Sequence, residues 1–379
     1  MVTYHKIVFS DSRDLNCIEN ESINLVITSP PYPMIEMWDK LFMKLNSDIE
    51  MALERYEGAT AFELMHTELD KVWTELYRVV KPGGFVCINI GDATRKVGKN
   101  FRLYSNHARI TDKLTELSFQ MLPLILWRKT TNAPNKFMGS GMLPAGAYVT
   151  LEHEYILIFR KGEKRIFSDN IQKESRYESA ILWEERNKWY SDIWELGGTK
   201  QYLNNSELRE RSAAYPFELS YRLINMYSVK GDTVLDPFLG TCTTIFSAIA
   251  SGRNSIGIEI DSSFNSFLDS ELNKITNIAN QRIMKRINDH LDFVSLYTKT
   301  KGELKYINSF HNFSVMTKQE QRLKMELVDS ISRDTNGSIR VSYNLFAETP
   351  ETNISNLLKS TISIKCKNDK KEYSDEACI

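Results

Sequence analysis

The chain has 379 residues and a formal net charge of −1, and its 42% hydrophobic and 26% charged residues are those of an ordinary globular protein. No apolar run is long enough to span a bilayer and the opening MVTYHKIVF does not read as a signal peptide, so a cytoplasmic protein with no membrane attachment is expected. Five scattered cysteines (Cys17, Cys87, Cys242, Cys366, Cys378) lack metal-ligand spacing, which argues against a zinc site or a disulfide framework.

Apolar runs bounded by turn residues predict strands at 6–9, 23–28, 85–90, 122–127, 155–160, 233–236 and 255–259. Helical patterns separate several of them, notably 62–80 before the turn KPGG and 217–227 before VKGD. Strands alternating with helices imply an α/β fold with a doubly wound, mostly parallel sheet. Residues 34–61 read as an insertion, and 162–210 are polar, charged and rich in aromatics. From about residue 264 the chain reads as helical and polar, and it ends in a mixed-charge tail expected to be disordered. Two short runs, DATRKVGKNFR (92–102) and RKGEKR (160–165), each carry four cations and one anion. Placed on one face, they would neutralise phosphates without making the chain basic overall.

At 28–34 the sequence TSPPYPM follows the strand SINLVI. Two consecutive prolines cannot continue a sheet ladder, because neither has an N–H and both fix φ. The pair is either a plain strand terminator or a rigid platform that holds a hydroxyl, carbonyl oxygens and a flat ring beside a ligand. Farther along, GDTVLDPFLGTCTTIFSAIASGRNSIGIEID (231–261) reads as strand, Asp-Pro turn, glycine loop, small-residue helix and second strand. Such a turn presents free N–H groups at the helix start, Gly240 permits close approach to the main chain, and Glu259 is placed to accept from ribose hydroxyls. The dehydrogenase fingerprint G-x-G-x-x-G is absent, so an adenosine compound with no phosphate to cradle fits better, which points to S-adenosyl-L-methionine. Ligands of open α/β sheets sit beyond the carboxyl ends of the strands, so the two regions can line one crevice despite 200 intervening residues.

Together these residues resemble the amino-methyltransferases of DNA, in the permuted (beta) order where the catalytic motif precedes the cofactor motif. SPPY (29–32) is similar to the family's catalytic loop, LDPFLGTCTT (235–244) to its cofactor loop and IGIEID (256–261) to its ribose-binding strand end. IVFSDSRDL (7–15), AAYPFELSYRLI (213–224), LWRKTTNAPN (126–135) and LEHEYILIFRKG (151–162) resemble further motifs, so the likeness covers roughly residues 5–265. It implies a seven-stranded Rossmann-like sheet with a small target-recognition insertion and a helical C-terminal extension. The implied division is a catalytic half at 1–161, a target-recognition region at 162–210, a cofactor half at 211–265 and the extension at 266–379. The implied catalytic residues are Ser29, Pro30, Pro31 and Tyr32. Those for the cofactor are Asp11 (near the adenine), Asp236, Pro237, Phe238, Gly240, Thr243 and Glu259, with no metal. Cys242 stands where the family usually has glycine, and Ser10 replaces another glycine.

The implied substrate is double-stranded DNA, with a restriction endonuclease as functional partner in a restriction-modification system. The target base must leave the helix to be reached. Ser29 Oγ and the Pro30 carbonyl would accept its amine N–H groups, and Tyr32 would stack on it. Serine at the first motif position leans towards N4 of cytosine, with N6 of adenine as the alternative and a non-methylating DNA-binding subunit as the other. Trp127 reads as core, and His107 and His153 carry no assigned role.

Overall fold

The computed structural model describes residues 1–130, 138–139, 144–197, 215–334 and 337–346. Ten strands form the main sheet: β1 (Val2–Phe9), β2 (Ile23–Thr28), β3 (Val80–Ile90), β4 (Phe119–Thr130), β5 (His153–Lys161), β6 (Ile193–Gly197), β7 (Thr233–Asp236), β8 (Asn254–Glu259), β9 (Glu326–Arg333) and β10 (Ile339–Leu345). Their order is β6-β4-β5-β3-β2-β7-β8-β1-β10-β9. Neighbours from β1 through β8, β7 and β2 to β3 are parallel, and β5 runs against both β3 and β4. The helices are α1 (Asp39–Leu45), α2 (Asp48–Glu54), α3 (Gly58–Val79), α4 (Asn106–Glu116), α5 (Asn170–Glu178), α6 (Trp183–Trp189), α7 (Phe217–Tyr227), α8 (Thr243–Ser251) and α9 (Phe264–Lys301).

All six residues of β2 are buried, as expected of a central parallel strand covered on both faces. Val26 joins the core under α3, where Met65, Leu69, Val72, Trp73 and Leu76 form one helical stripe. Leu25 and Ile27 point to the other face, against Leu219, Leu223 and Ile224 of α7. The chain is a Rossmann-like α/β fold, and every predicted strand lies within an observed one.

The sheet nevertheless has ten strands where seven were expected. The seven are the block from β4 to β1, and β6 adds to one side while β10 and β9 add to the other. Of these, β6 and β9 are the two edges and β10 lies between β1 and β9; all three alternate buried with more exposed residues, and that alternation hid them in the sequence. The C-terminal extension is correspondingly not all helix, since α9 is followed by the β9–β10 hairpin that pairs with β1. The tail after residue 346 lies outside the described residues.

The two basic runs do not share a face. Residues 92–102 follow β3 at its carboxyl end, whereas 160–165 follow β5, which runs the other way and ends beside the start of β3. They sit at opposite edges of the sheet, because one reversed strand inverts the direction in which its flanking loop leaves. In the second run Arg165 is also neutralised by Asp232 at 2.7 Å.

The described part of 162–210 is built into the body. Glu185 of α6 pairs with Arg286 of α9 at 2.6 Å, His290 Nδ1 lies 2.7 Å from Glu184, and the Trp183 N–H donates to Glu320. Arg286 is 5% exposed and also donates to the Tyr221 hydroxyl at 3.1 Å. Truncating one member of a buried pair leaves the other charge uncompensated. Arg286→Ala is therefore expected to lower the unfolding free energy by about 3–5 kcal/mol in a urea titration. Lys285→Ala, one residue away on an exposed pair, should change it by less than about 1 kcal/mol.

Candidate active site at the carboxyl edge of the sheet

Strands β1, β2, β7 and β8 all end at one edge, and the loops leaving them enclose a cavity of about 940 Å³. That is near the upper end of the range for small-molecule sites. Asp11, Ser29, Pro30, Pro31, Asp236, Pro237, Phe238, Gly240, Thr243 and Glu259 all line it. Trp38, Leu41 and Phe42, from the insertion at 34–61, supply an apolar wall. Tyr32 alone among the sequence candidates is not on the cavity wall but lies beside Ser29.

Asp236, at the tip of β7, is 2% exposed and saturated by donors. Its carboxylate accepts from Thr28 Oγ1 at 2.8 Å, Thr244 Oγ1 at 2.5 Å, the Tyr215 hydroxyl at 3.2 Å and the Phe238 N–H at 3.0 Å. Burial raises its pKa above the usual carboxylate range, and the four donors oppose that rise. Asp236 thus ties β2, the start of α8 and the segment before α7 to one point.

Glu259, at the end of β8, performs a related task. Its two oxygens accept the Gly240 N–H at 2.8 Å and the Asp261 N–H at 2.9 Å. Burial pushes its carboxyl above the ordinary range, against those two N–H groups. Gly240 has φ +51°, and nothing lies within 4 Å of where a Cβ would stand, so the main chain is open to a ligand there. Cys242, at φ +64°, caps α8 in the left-handed region, which explains why glycine suits that position. Its thiol is buried among Leu239, Ile245 and Ile249 and is not part of the cavity wall. Asp11 is gripped by Arg13, which donates through Nε at 2.9 Å and a terminal nitrogen at 2.7 Å. Burial works against the charge on Asp11, yet the Arg13 contacts bring its pKa below the usual value. A second nitrogen of Arg13 reaches Glu68 on α3 at 2.5 Å.

The Pro-Pro loop is fixed from behind. Asn106 Nδ2 donates to the Pro33 and Gly91 carbonyls at 3.1 and 2.9 Å, binding this loop to the end of β3. Ser29 Oγ lies 3.0 Å from the Tyr32 hydroxyl, which donates to Glu154 Oε2 at 3.0 Å and accepts from Asn89 Nδ2 at 2.8 Å. Glu154 is also paired with Lys129 of β4. Burial first, and the Glu154 charge second, hold the Tyr32 phenol well above its ordinary pKa, so it keeps its proton.

Sequence reading had not singled out Arg13, Glu68, Tyr215, Thr28, Asn89 or Glu154. The local spacing Asp-x-Arg in SDSRDL was the one accessible signal, since the others meet their partners only across the sheet. Trp127 is buried core, with its Nε1 donating to the Leu196 carbonyl at 3.0 Å. His107 lies 2.8 Å from Asp92 and stacks on Tyr155.

Residues 23–269 match the family model described as DNA methylase, of the N6/N4 type. The chain is 54% identical over 327 residues to the type II methyltransferase M.MthZI of Methanothermobacter thermautotrophicus, covering 86% of this chain and 91% of that one. It is 50% identical over 283 residues to the type II methyltransferase M.MjaI of Methanocaldococcus jannaschii, covering 72% and 92% respectively. Among solved structures it is similar to TTHA0409 of Thermus thermophilus, described as a putative DNA modification methylase and solved complexed with S-adenosyl-L-methionine. That match has a TM-score of 0.55 and 28% identity, covering 72% of this chain and 94% of the other.

Asp236→Asn replaces an acceptor-only group with one that turns an NH2 towards hydroxyl donors. It is expected to lower the unfolding free energy by about 1–3 kcal/mol. An unchanged urea midpoint would show that the four hydrogen bonds are not what holds the loops together.

Proposed function

The chain belongs to the DNA methylase family, and we propose that it is a type II modification enzyme that methylates the exocyclic N4 of a cytosine flipped out of duplex DNA. The observation that carries this reading is Ser29 at the tip of β2, lining the same cavity as Gly240 and Glu259. The cofactor is S-adenosyl-L-methionine, and the residues present fit it. Gly240 leaves its main chain open, and Glu259 uses one acceptor site on each oxygen and keeps others for ribose hydroxyls. Pro237, Phe238 and Thr243 complete that side, and Asp11 is assigned to the adenine end. When bound, the cofactor supplies a methyl group on a sulfonium, a strong leaving group.

Everything else falls to the chain's own groups. The amine lone pair of cytosine is delocalised into the ring and is a poor nucleophile. Accepting one N–H at Ser29 Oγ and the other at the Pro30 carbonyl favours a more tetrahedral nitrogen. The two prolines keep these acceptors from relaxing, so positioning supplies much of the rate. Tyr32, which stands beside Ser29 and off the cavity wall, is assigned the ring against which the base stacks once it has entered past Ser29. Cys242 gives no support to a non-methylating role, because its thiol points into the core. Target recognition is assigned to 162–210. Its helices α5 and α6 are tied to the opposite side of the body: Ser175 of α5 donates to the Lys230 carbonyl before β7. Within this region, the described residues nearest the cavity edge are those at the end of β6, where Gly197 pairs with Thr130 at the end of β4.

The decisive experiment is mass spectrometry of nucleosides from duplex DNA treated with the protein and cofactor bearing a heavy methyl. Labelled N4-methylcytosine is expected, and labelled N6-methyladenine would overturn the assignment of the base. Ser29→Ala is expected to bind cofactor normally and to lose at least about a hundredfold in kcat, within the range for loss of a catalytic hydrogen-bonding group. Unchanged turnover would remove Ser29 from the chemistry.

Glu259 makes a separate prediction about pH. Because its carboxyl takes up a proton at higher pH than an ordinary glutamate, cofactor affinity is expected to fall early on acidification. Glu259→Gln should bind about tenfold more weakly, as for the loss of a charged hydrogen-bond partner, without that pH dependence. Titration calorimetry across a pH series checks both, and a pH-independent wild-type Kd would refute the ribose assignment.

A further inference from the structure

We propose that Glu154, acting through Tyr32, sets the direction of the Ser29 hydroxyl, so that Ser29 meets the target amine only as an acceptor. This rests on the assignment of Ser29 to the amine. Glu154 is a positioning residue here, since Tyr32 stands between it and Ser29.

The chain of hydrogen bonds has one consistent polarity. Glu154 gives one oxygen to the Lys129 ammonium and, as a carboxylate, has no proton to donate. Its other oxygen accepts from Asn89 Nδ2 at 2.7 Å and from the Tyr32 hydroxyl at 3.0 Å. The phenol has a single proton, and that proton is committed to Glu154. Asn89 Nδ2 is also a donor, so its 2.8 Å contact occupies one phenol lone pair. The remaining contact, from Ser29 Oγ at 3.0 Å, must then have Ser29 as the donor. With its proton pointed away from the cavity, Ser29 keeps both lone pairs for an amine, which brings only N–H groups.

A free serine hydroxyl has no such preference, because it rotates to suit its neighbours. The weakness of serine as an acceptor, compared with a carboxylate, is therefore offset by fixing its proton elsewhere. The same polarity gives the tyrosine hydroxyl of SPPY a task that a phenylalanine ring cannot perform. The pairing is reached only across the sheet, since Glu154 starts the one strand reversed between β3 and β4.

Two substitutions disrupt the polarity without emptying the site. In Glu154→Gln the Lys129 ammonium holds the amide oxygen, so the NH2 faces Tyr32. The phenol then turns its proton to Ser29, and the serine proton points into the cavity. Tyr32→Phe removes the acceptor for that proton altogether. Steady-state methylation of duplex DNA, with cofactor Kd measured alongside, is the test. Each variant is expected to lower kcat about tenfold or more, as for loss of one hydrogen bond to a polar partner, with KM for DNA and cofactor Kd within about twofold. In a Ser29→Ala background, Glu154→Gln should cost no further activity, because there is no hydroxyl left to direct.

Losses that multiply in the double variant, or that appear in KM or cofactor Kd, would overturn the proposal and leave Glu154 a structural residue. A wild-type chain that binds cofactor but transfers no labelled methyl to DNA would overturn the functional reading itself, and this inference with it.

Discussion

A single buried carboxylate governs the geometry of the site. Asp236 draws Thr28, Tyr215, Thr244 and the Phe238 N–H to one point inside the sheet edge. Removing a carboxylate from water is unfavourable unless its lone pairs are filled, so the four donors must converge or the charge is stranded. Convergence fixes the distance between the end of β2, where Ser29 follows Thr28, and the loop after β7 that carries Gly240. Two regions 200 residues apart in sequence are thereby held in register by chemistry that never touches a substrate. Asp236 lines the cavity, but its acceptors are already occupied by the protein, which makes it a joint more than a ligand.

Around that joint, backbone conformation does the work that side chains do elsewhere. Gly240 and Cys242 both adopt positive φ, turning the chain sharply from β7 into α8. A side chain at Gly240 would project into open space on the cavity side, whereas the Cys242 thiol is directed into the core with Ile245 and Ile249. A residue other than glycine is thus accommodated at the second position: it bears conformational strain of about 1–2 kcal/mol and regains part of it by burial. On the other side of the cavity the prolines remove freedom outright, and Asn106 bridges them to the end of β3.

The sheet also separates tasks by edge. One reversed strand, β5, delivers Glu154 to the cavity edge and sends the basic run 160–165 to the far one. Helix α6 packs against α9 through Arg286–Glu185 and His290–Glu184, and β9 and β10 seal the sheet beyond β1. The C-terminal segment is therefore structural support for the methylase body as well as an extension of it.

Periodicity and turn chemistry determined much of this from sequence alone. Contiguous apolar runs marked the buried parallel strands, because a strand covered on both faces cannot alternate. The prolines and glycines of TSPPYPM and DPFLGTC announced the loops, because their backbone constraints are local. Half-exposed outer strands such as IWELG and IRVSYNL were not legible, since their burial depends on which neighbour the fold supplies. The same reason hid Glu154, Asn89 and Tyr215: a glutamate in HEYIL looks like any strand residue until β5 is inserted backwards beside β3 and its carboxylate meets Tyr32. Local sequence carries the residues whose conformations are special, and only tertiary structure decides which polar groups must share a proton.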